Sequence, residues 1–435
     1  MEEEHVPAPV SFGCGDVFVL DDLPPNFTIG CDITALNSAK PFLGFRDIPA
    51  GAHLIWVAPS ESTSSRSGFW IFTPEVNGST VGIVYVKQWD KFNEVLTDTA
   101  SQAEERFQKE RLEQMYGTLA PYGLKTGTPE PPHSHAITEG SESPPALVDN
   151  DSIWYQLTFA IRPEVLSRIT TQANNSWSVA TRDLVAGGIG LAEEARLYTA
   201  GSTKSLKFIF PIDAYLVNPS AAGAERTRQA LDPTGWIIDK LEASEIGQSY
   251  TPSDLVGEFQ FAFLTGMHLG NFSCLEQWWF LATRLVFRAY GLAIERPQLA
   301  RQLIQTFHAQ LLYNERHLDG GSVLEMMPEY AKKLQRALVT YKARLDESLL
   351  TLGEACAPDQ HAVGVVFSSL EAWLWRLSWD LRGEYVRKGN VMLEDGEIVQ
   401  AELSDFEDED ERGEFAPTVV EMGENGRETG LLSWD

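Results

Sequence analysis

The hydrophobic pattern of this chain changes period once, and that change limits what it can fold into. From residue 13 to about 92, short apolar and β-branched runs alternate with turn signals. The runs are Asp16-Val17-Phe18-Val19-Leu20, His53-Leu54-Ile55-Trp56-Val57, Gly68-Phe69-Trp70-Ile71-Phe72 and Val81-Gly82-Ile83-Val84-Tyr85-Val86. Pro24-Pro25, Pro49-Ala50-Gly51 and Asn77-Gly78 punctuate them. Such runs read as strands of a small sandwich- or barrel-like domain. Asn77-Gly78 between two apolar runs predicts a hairpin. Ser101 to Met115, rich in Glu, Gln, Lys and Arg, predicts a helix after the strands.

From about 225 to 382 the apolar residues recur instead at helical spacing. Leu275, Trp278, Trp279, Ala282, Leu285, Val286 and Ala289 share one face, with Gln277, Arg284 and Arg288 opposite. That pattern predicts an amphipathic helix, with Ser273 and Glu276 as its capping box. Leu255 to Leu269 is apolar nearly all round, through Phe259, Phe261, Phe263, Leu264 and Met267, and predicts the most buried helix. Gly266 and Gly270 fit either close helix packing or a helix end. Two more stripes follow, Leu334-Leu338-Tyr341-Leu345-Leu349-Leu352 and Val366-Leu370-Trp373-Leu374-Leu377-Leu381. Helices so closely spaced suit a bundle or superhelix.

The expectation is an α+β multidomain chain. An N-terminal β-sandwich-like domain (1–124) precedes a Pro/Ser-rich linker expected to be disordered (125–151) and a connecting segment (152–224). An all-α helical domain (225–385) and an acidic tail (386–435), expected to be disordered around a binding strand, complete it. Leu206 to Phe210 resembles one more strand. Gly187-Gly188-Ile189-Gly190 reads as a plain loop, because Glu193 occupies the last place of G-x-G-x-x-G.

Charge narrows the partners. With 34 Lys+Arg against 62 Asp+Glu, the 435-residue chain carries a formal −28. Phosphate contacts need Lys or Arg, so a general nucleic-acid binder and an anionic membrane surface are both disfavoured. Basic protein surfaces are the natural partners. A local patch of Arg284, Arg288, Arg296 and Arg301 keeps direct RNA binding as one alternative. From Glu394 to Glu414 there are eleven acidic residues and one arginine, directly before the apolar island Phe415-Ala416-Pro417-Thr418-Val419-Val420-Glu421-Met422. Four widely spaced cysteines, without a C-x-x-C pair, argue against a disulfide framework or a zinc ribbon. With no basic-then-apolar leader at Met1, the expectation is a soluble protein of the cytoplasm that enters the nucleus.

No P-loop, G-x-S-x-G elbow, H-E-x-x-H pair or Ca²⁺ loop occurs. His133-Ser134-His135 lacks a third ligand nearby, and His268, His308, His317 and His361 read as structural. The expectation is no catalytic residue, no cofactor and no metal. The competing class is a hydrolase with an unrecognised site between the two domains, since triads are assembled in space.

Several stretches taken together resemble the cistron-splicing-factor family of U5 small nuclear ribonucleoprotein assembly factors. They are Ile29-Gly30-Cys31-Asp32, Phe42-Leu43-Gly44-Phe45-Arg46-Asp47-Ile48-Pro49-Ala50-Gly51 with His53, Gly257-Glu258-Phe259-Gln260-Phe261-Ala262-Phe263, Leu269-Gly270-Asn271-Phe272, Glu276-Gln277-Trp278 and Ala416-Pro417-Thr418-Val419-Val420-Glu421. The Pro-rich linker, the long acidic run and the ending Leu431-Leu432-Ser433-Trp434-Asp435 depart from the family. The resemblance implies a non-enzymatic factor, monomeric alone. It binds the large U5 scaffold protein through that protein's RNase H-like and MPN-fold domains, within a U5 precursor particle, until a helicase replaces it. It also implies that the C-terminal end adds a strand between those domains, and that phosphorylation accompanies release. Residues Phe415, Ala416, Pro417, Thr418, Val419, Val420 and Glu421 are then the partner-binding candidates. Backbone bonds would supply affinity and the valines would enter pockets. Ser253 and Ser404 are the candidate phosphorylation sites.

Overall fold

A computed structural model describes residues 15–38, 40–59, 65–75, 82–99, 101–123, 150–172, 177–187, 203–212, 223–242, 250–318, 322–382, 388–392, 398–402, 420–422 and 428–431. The chain divides into two compact units, Met1–Ile209 with Gln260–Leu275, and Phe210–Phe259 with Glu276–Asp435.

The first unit is built on ten strands: β1 (Asp16–Asp21), β2 (Phe27–Cys31), β3 (Thr34–Ser38), β4 (Gly44–Ile48), β5 (Gly51–Pro59), β6 (Ser67–Thr73), β7 (Val84–Asp90), β8 (Val95–Asp98), β9 (Ala120–Pro121) and β10 (Trp177–Ala180). One sheet runs β8-β7-β1-β4-β9 and the other β10-β6-β5-β2-β3. Phe18, Leu20, Phe45 and Trp89 of the first share a core with Ile29, Ile55, Val57, Phe69 and Ile71 of the second. This is the expected sandwich. Strand side chains alternate faces, so Val17, Val19 and Val86 turn the other way. They pack on Leu112, Tyr116 and Leu119, in the segment that follows helix Gln102–Glu110. Ser101 caps that helix, accepting from the Glu104 N–H at 3.2 Å.

The second sheet is covered on its far face as well. The Trp70 indole donates to Thr265 Oγ1 at 3.1 Å and lies 5.8 Å from the Phe261 ring. Trp154 Nε1 donates to the Ala52 carbonyl at 2.9 Å. Burial on both faces explains why β5 and β6 read as unbroken apolar runs rather than alternating ones.

The predicted hairpin across Asn77-Gly78 does not form. β6 pairs with β5 and β10, whereas β7 lies in the other sheet beside β1 and β8. Both edges of β6 are taken, one by its sequence neighbour β5 and the other by distant β10, and a local turn signal cannot override that. The turn itself lies outside the described residues. Nor does Leu206 to Phe210 make a full strand. Only Ser205–Leu206 pairs, in parallel with Leu184–Val185.

The second unit is helical, as expected. Its helices include Thr234–Glu242, Phe272–Phe280 from Glu276 onward, Pro297–His317, Pro328–Leu352 and Pro358–Trp375. Prolines open the last three, where their missing N–H costs nothing. Leu334, Leu338, Tyr341 and Leu345 are buried, as are Leu370, Trp373, Leu374 and Leu381. Leu377, expected in the last stripe, is exposed.

One expected helix is corrected. The α-helix from Phe272 stops at Phe280 and continues as a π-helix over Leu281–Val286. Gln277 and Arg288, expected on a solvated face, are 0% and 7% exposed. The predicted stripe itself, from Leu275 to Ala289, is buried throughout; what differs is that the opposite face is covered as well. Among the described residues, no helix is long and apolar enough to cross a membrane. After residue 382 the described segments form two antiparallel hairpins, Lys388–Met392 with Ile398–Glu402 and Val420–Met422 with Glu428–Leu431. The rest of the acidic run, the linker at 125–149 and His133-Ser134-His135 lie outside the described residues.

Candidate functional site

A buried polar cluster in the first unit has the outline of a catalytic dyad. Asp32 sits in the tight turn after β2, at φ 53°, a left-handed conformation that Asp tolerates. Its Oδ1 accepts from the Leu54 N–H at 2.9 Å. Its Oδ2 receives His53 Nδ1 at 2.6 Å and the Tyr122 hydroxyl at 2.7 Å. The second imidazole nitrogen, Nε2, faces the Pro49 carbonyl at 2.9 Å. Carboxylates and carbonyls only accept, so both ring nitrogens carry protons. Burial alone would lower the His53 pKa, but the Asp32 charge, with the bonds from Asp32 and Pro49, raises it above the ordinary value. A general base needs an open lone pair, and this imidazolium has none. The cluster is a buried brace joining the turn after β2, the start of β5 and the segment after β9.

A second polar centre surrounds Asn271. Its Nδ2 donates to the carbonyls of Ala180 at 2.9 Å and Asp183 at 2.8 Å, and its Oδ1 accepts from the Cys274 N–H at 2.8 Å. Asn271, not Ser273, therefore caps the following helix. The Ser273 hydroxyl instead accepts from Val185 N–H at 2.9 Å. The two glycines also separate in role. Gly270, at φ 59°, ends helix Pro252–Leu269, and the Asn271 N–H returns to the Gly266 carbonyl at 3.0 Å. A Cβ on Gly266 would stand 2.8 Å from the Leu275 side chain, so that position needs close approach. Burial pushes the neighbouring Asp183 up to about 6, although its carboxylate accepts from two backbone N–H groups. Asn271→Ala is expected to destabilise the protein by about 2–4 kcal/mol, since it removes a cap and takes the amide donor away from two buried carbonyls. Urea unfolding of the full chain checks this.

In the second unit, Trp278 Nε1 donates to Gln310 Oε1 at 2.7 Å, and Gln310 Nε2 donates to the Phe259 carbonyl at 3.1 Å. The rings of Phe259, Trp278 and Phe307 stack within 5.9–6.4 Å of one another. Gln277 Nε2 donates to the Phe210 carbonyl at 2.7 Å. Buried glutamines of this kind fix helix positions through backbone carbonyls. The arginine quartet does not form one exposed patch. Arg288 is buried, Arg301 and Arg284 are half-buried, and Arg296 pairs with Glu242.

The predicted partner strand is described at its end alone. Val420 and Glu421 pair with Leu431 and Gly430, while Phe415, Ala416, Pro417, Thr418 and Val419 lie outside the described residues, as does Ser404. Ser253 is half-buried in the first turn of helix Pro252–Leu269, beside Asp254, whose carboxylate accepts the Thr251 N–H at 2.6 Å. Ahead of the tail strands, Trp375 is 54% exposed with the Arg382 guanidinium 4.6 Å from its ring centre.

Two family models match successive stretches of the chain. The AAR2 N-terminal domain model matches residues 14–171, and the AAR2 C-terminal repeat region model matches residues 210–382. The chain belongs to the AAR2 family. A curated relative, the A1 cistron-splicing factor AAR2 of Saccharomyces cerevisiae, is 23% identical over 265 residues. That match covers 59% of this chain and 66% of the relative, a little under two thirds of its length.

The AAR2 resemblance rested on residues that the structure places at these polar centres. Asp32 and His53 form the brace, Gly270 and Asn271 the helix junction, and Trp278 the link to Gln310. The sequence displays those residues but not their partners. Tyr122 and Gln310 carried no signal of their own, because each acts across a long sequence separation. For the described parts, the family's recognisable residues thus set internal geometry.

Proposed function

We propose that this AAR2-family chain is a non-enzymatic assembly factor of the U5 small nuclear ribonucleoprotein in pre-mRNA splicing. It binds the large U5 scaffold protein at the RNase H-like and MPN-fold domains and bridges them. While bound, it keeps the helicase and RNA from premature entry. It acts in the cytoplasm on the precursor particle and is released in the nucleus, with Ser253 and Ser404 as the phosphorylation candidates. The observation that carries this reading is the ordered match of both family regions, which ends just before a tail that holds a strand.

Physical features support it. A net charge of −28 suits a protein that handles a basic, RNA-binding partner. Trp and Arg are enriched at the energetic centres of interfaces, and exposed Trp375 with Arg382 lies ahead of the tail. The imidazolium of His53 is fully engaged, so the most catalytic-looking cluster is accounted for by packing.

Deleting residues 414–435 tests the strand. Binding to the purified RNase H-like and MPN-fold domains is expected to weaken at least about tenfold, or about 1.4 kcal/mol. An unchanged dissociation constant sinks strand addition. Size-exclusion chromatography of the full chain with both domains tests the wider reading, and failure to co-elute at micromolar concentrations overturns it.

A further inference from the structure

The described end of the candidate binding strand, Val420 and Glu421, is paired in the free chain together with the adjoining Met422. Val420 pairs with Leu431, Glu421 with Gly430 and Met422 with Glu428, in antiparallel register with an irregularity between Glu421 and Met422. The Lys388–Met392 strand also approaches Val420–Met422 to within 8 Å, Cα to Cα. A strand has two hydrogen-bonding edges. One edge of this strand is therefore occupied by the chain's own residues, and a second strand of the same chain lies close by.

A strand that joins two separate domains must offer an edge to each. Backbone groups at Val420–Met422 that are bonded to Glu428–Leu431 cannot bond a partner sheet at the same time. We propose that Glu428–Leu431 is an intramolecular competitor, a self-strand that occupies the edge of Val420–Met422 until a partner's sheet edge displaces it. This proposal rests on the strand-addition reading above and adds its regulation.

The energetics suit a competitor rather than a lock. Two-stranded hairpins on their own are marginally stable in water. Affinity for a partner falls only by the fraction of molecules with the edge open. The self-strand therefore sets a threshold. A weak or incomplete sheet edge does not displace it, and a well-matched one does.

Two variants test the proposal. The first ends the chain after Arg427. The second keeps full length but carries Thr429→Pro and Gly430→Pro, which remove backbone donors and break the pairing. Each is titrated with the purified RNase H-like and MPN-fold domains, beside the full chain and the 414–435 deletion. Both variants are expected to bind about three- to thirty-fold more tightly than the full chain, the range that a marginal hairpin allows. Amide exchange at Val420–Met422 in the free protein should speed up in both. Affinity unchanged within about twofold, while the 414–435 deletion still weakens binding, overturns the competitor and leaves strand addition standing. Weaker binding by both variants also overturns it, because the self-strand would then be part of the binding element. If the 414–435 deletion changes nothing, strand addition fails and the competitor fails with it.

Discussion

Asp32→Ala is expected to remove about 3–5 kcal/mol of stability, the cost of breaking a buried ion pair by deleting one partner. The carboxylate has three duties at once: it accepts the Leu54 N–H, the Tyr122 hydroxyl and a His53 imidazolium proton. Alanine leaves all three donors without it in a site where solvent cannot substitute. Asp32→Asn keeps the shape and an oxygen for Leu54, but loses the charge, so its cost should be smaller. The pH dependence separates pairing from packing. In the wild type, the folded His53 pKa lies above the ordinary imidazole value of 6.5. That stabilisation is fully present below the unfolded pKa and is lost as pH rises through the folded one. Without Asp32, burial dominates and drives the His53 pKa down, so the variant pays instead at acidic pH. The stability gap should be widest near pH ~5–6 and narrow on the alkaline side. Urea titrations across that range measure it. A gap independent of pH would show that the pair contributes shape alone.

The fragment 1–224, cut where composition alone would place the helical domain, is expected not to fold cooperatively. The far face of the second sheet is completed by residues 260–275. Phe261 lies against Trp70 and Phe208, and His268 sits between Trp56 and Trp154. Burial pushes His268 down to about 4, so it packs there as a neutral ring. The Arg66 guanidinium donates to the His268 carbonyl at 2.6 Å, and Thr181 Oγ1 donates to the Leu269 carbonyl at 2.6 Å. Gln260 accepts from Ala160 N–H at 3.1 Å and donates to the Gln156 carbonyl at 3.0 Å. Each such bond contributes about 0.5–1.5 kcal/mol net, and a buried Phe about 1.5–3 kcal/mol. Their joint loss rivals the ~5–15 kcal/mol that holds a whole domain. The fragment should bind ANS and lack a sharp thermal transition by circular dichroism. A fragment with a cooperative transition like that of the full chain would contradict this dependence.

The sandwich and the helical unit were legible because burial imposes a period. β5 read as a strand from His53 to Val57, and the helix around Phe259 to Leu264 read as the most buried. What failed was partner choice. Asn77-Gly78 announced a hairpin, yet β6 found β10 about a hundred residues away, with Trp177 opposite Trp70. Ser273 looked like a cap, but Asn271 took that role because its amide also reaches Ala180 and Asp183. Gln277 looked solvated because polarity reports on water only when no buried carbonyl awaits it, and the Phe210 carbonyl does. Of the candidate binding strand, sequence named Val420 and Glu421, but not that Gly430 and Leu431 pair with them.

The placement of Gln260–Leu275 in the first unit also has a consequence for synthesis. A growing chain emerges in order, and N-terminal domains generally fold first, at ~5–20 residues per second. Here the strands are complete by Ala180, yet the segment that covers Trp70 is made only after Phe210–Phe259 has been translated. From Ala180 to Gln260 is about eighty residues, or roughly 4–16 s, during which a tryptophan-rich sheet face stays open on the ribosome. Slowing translation after Ile209 should therefore raise aggregation of the growing chain.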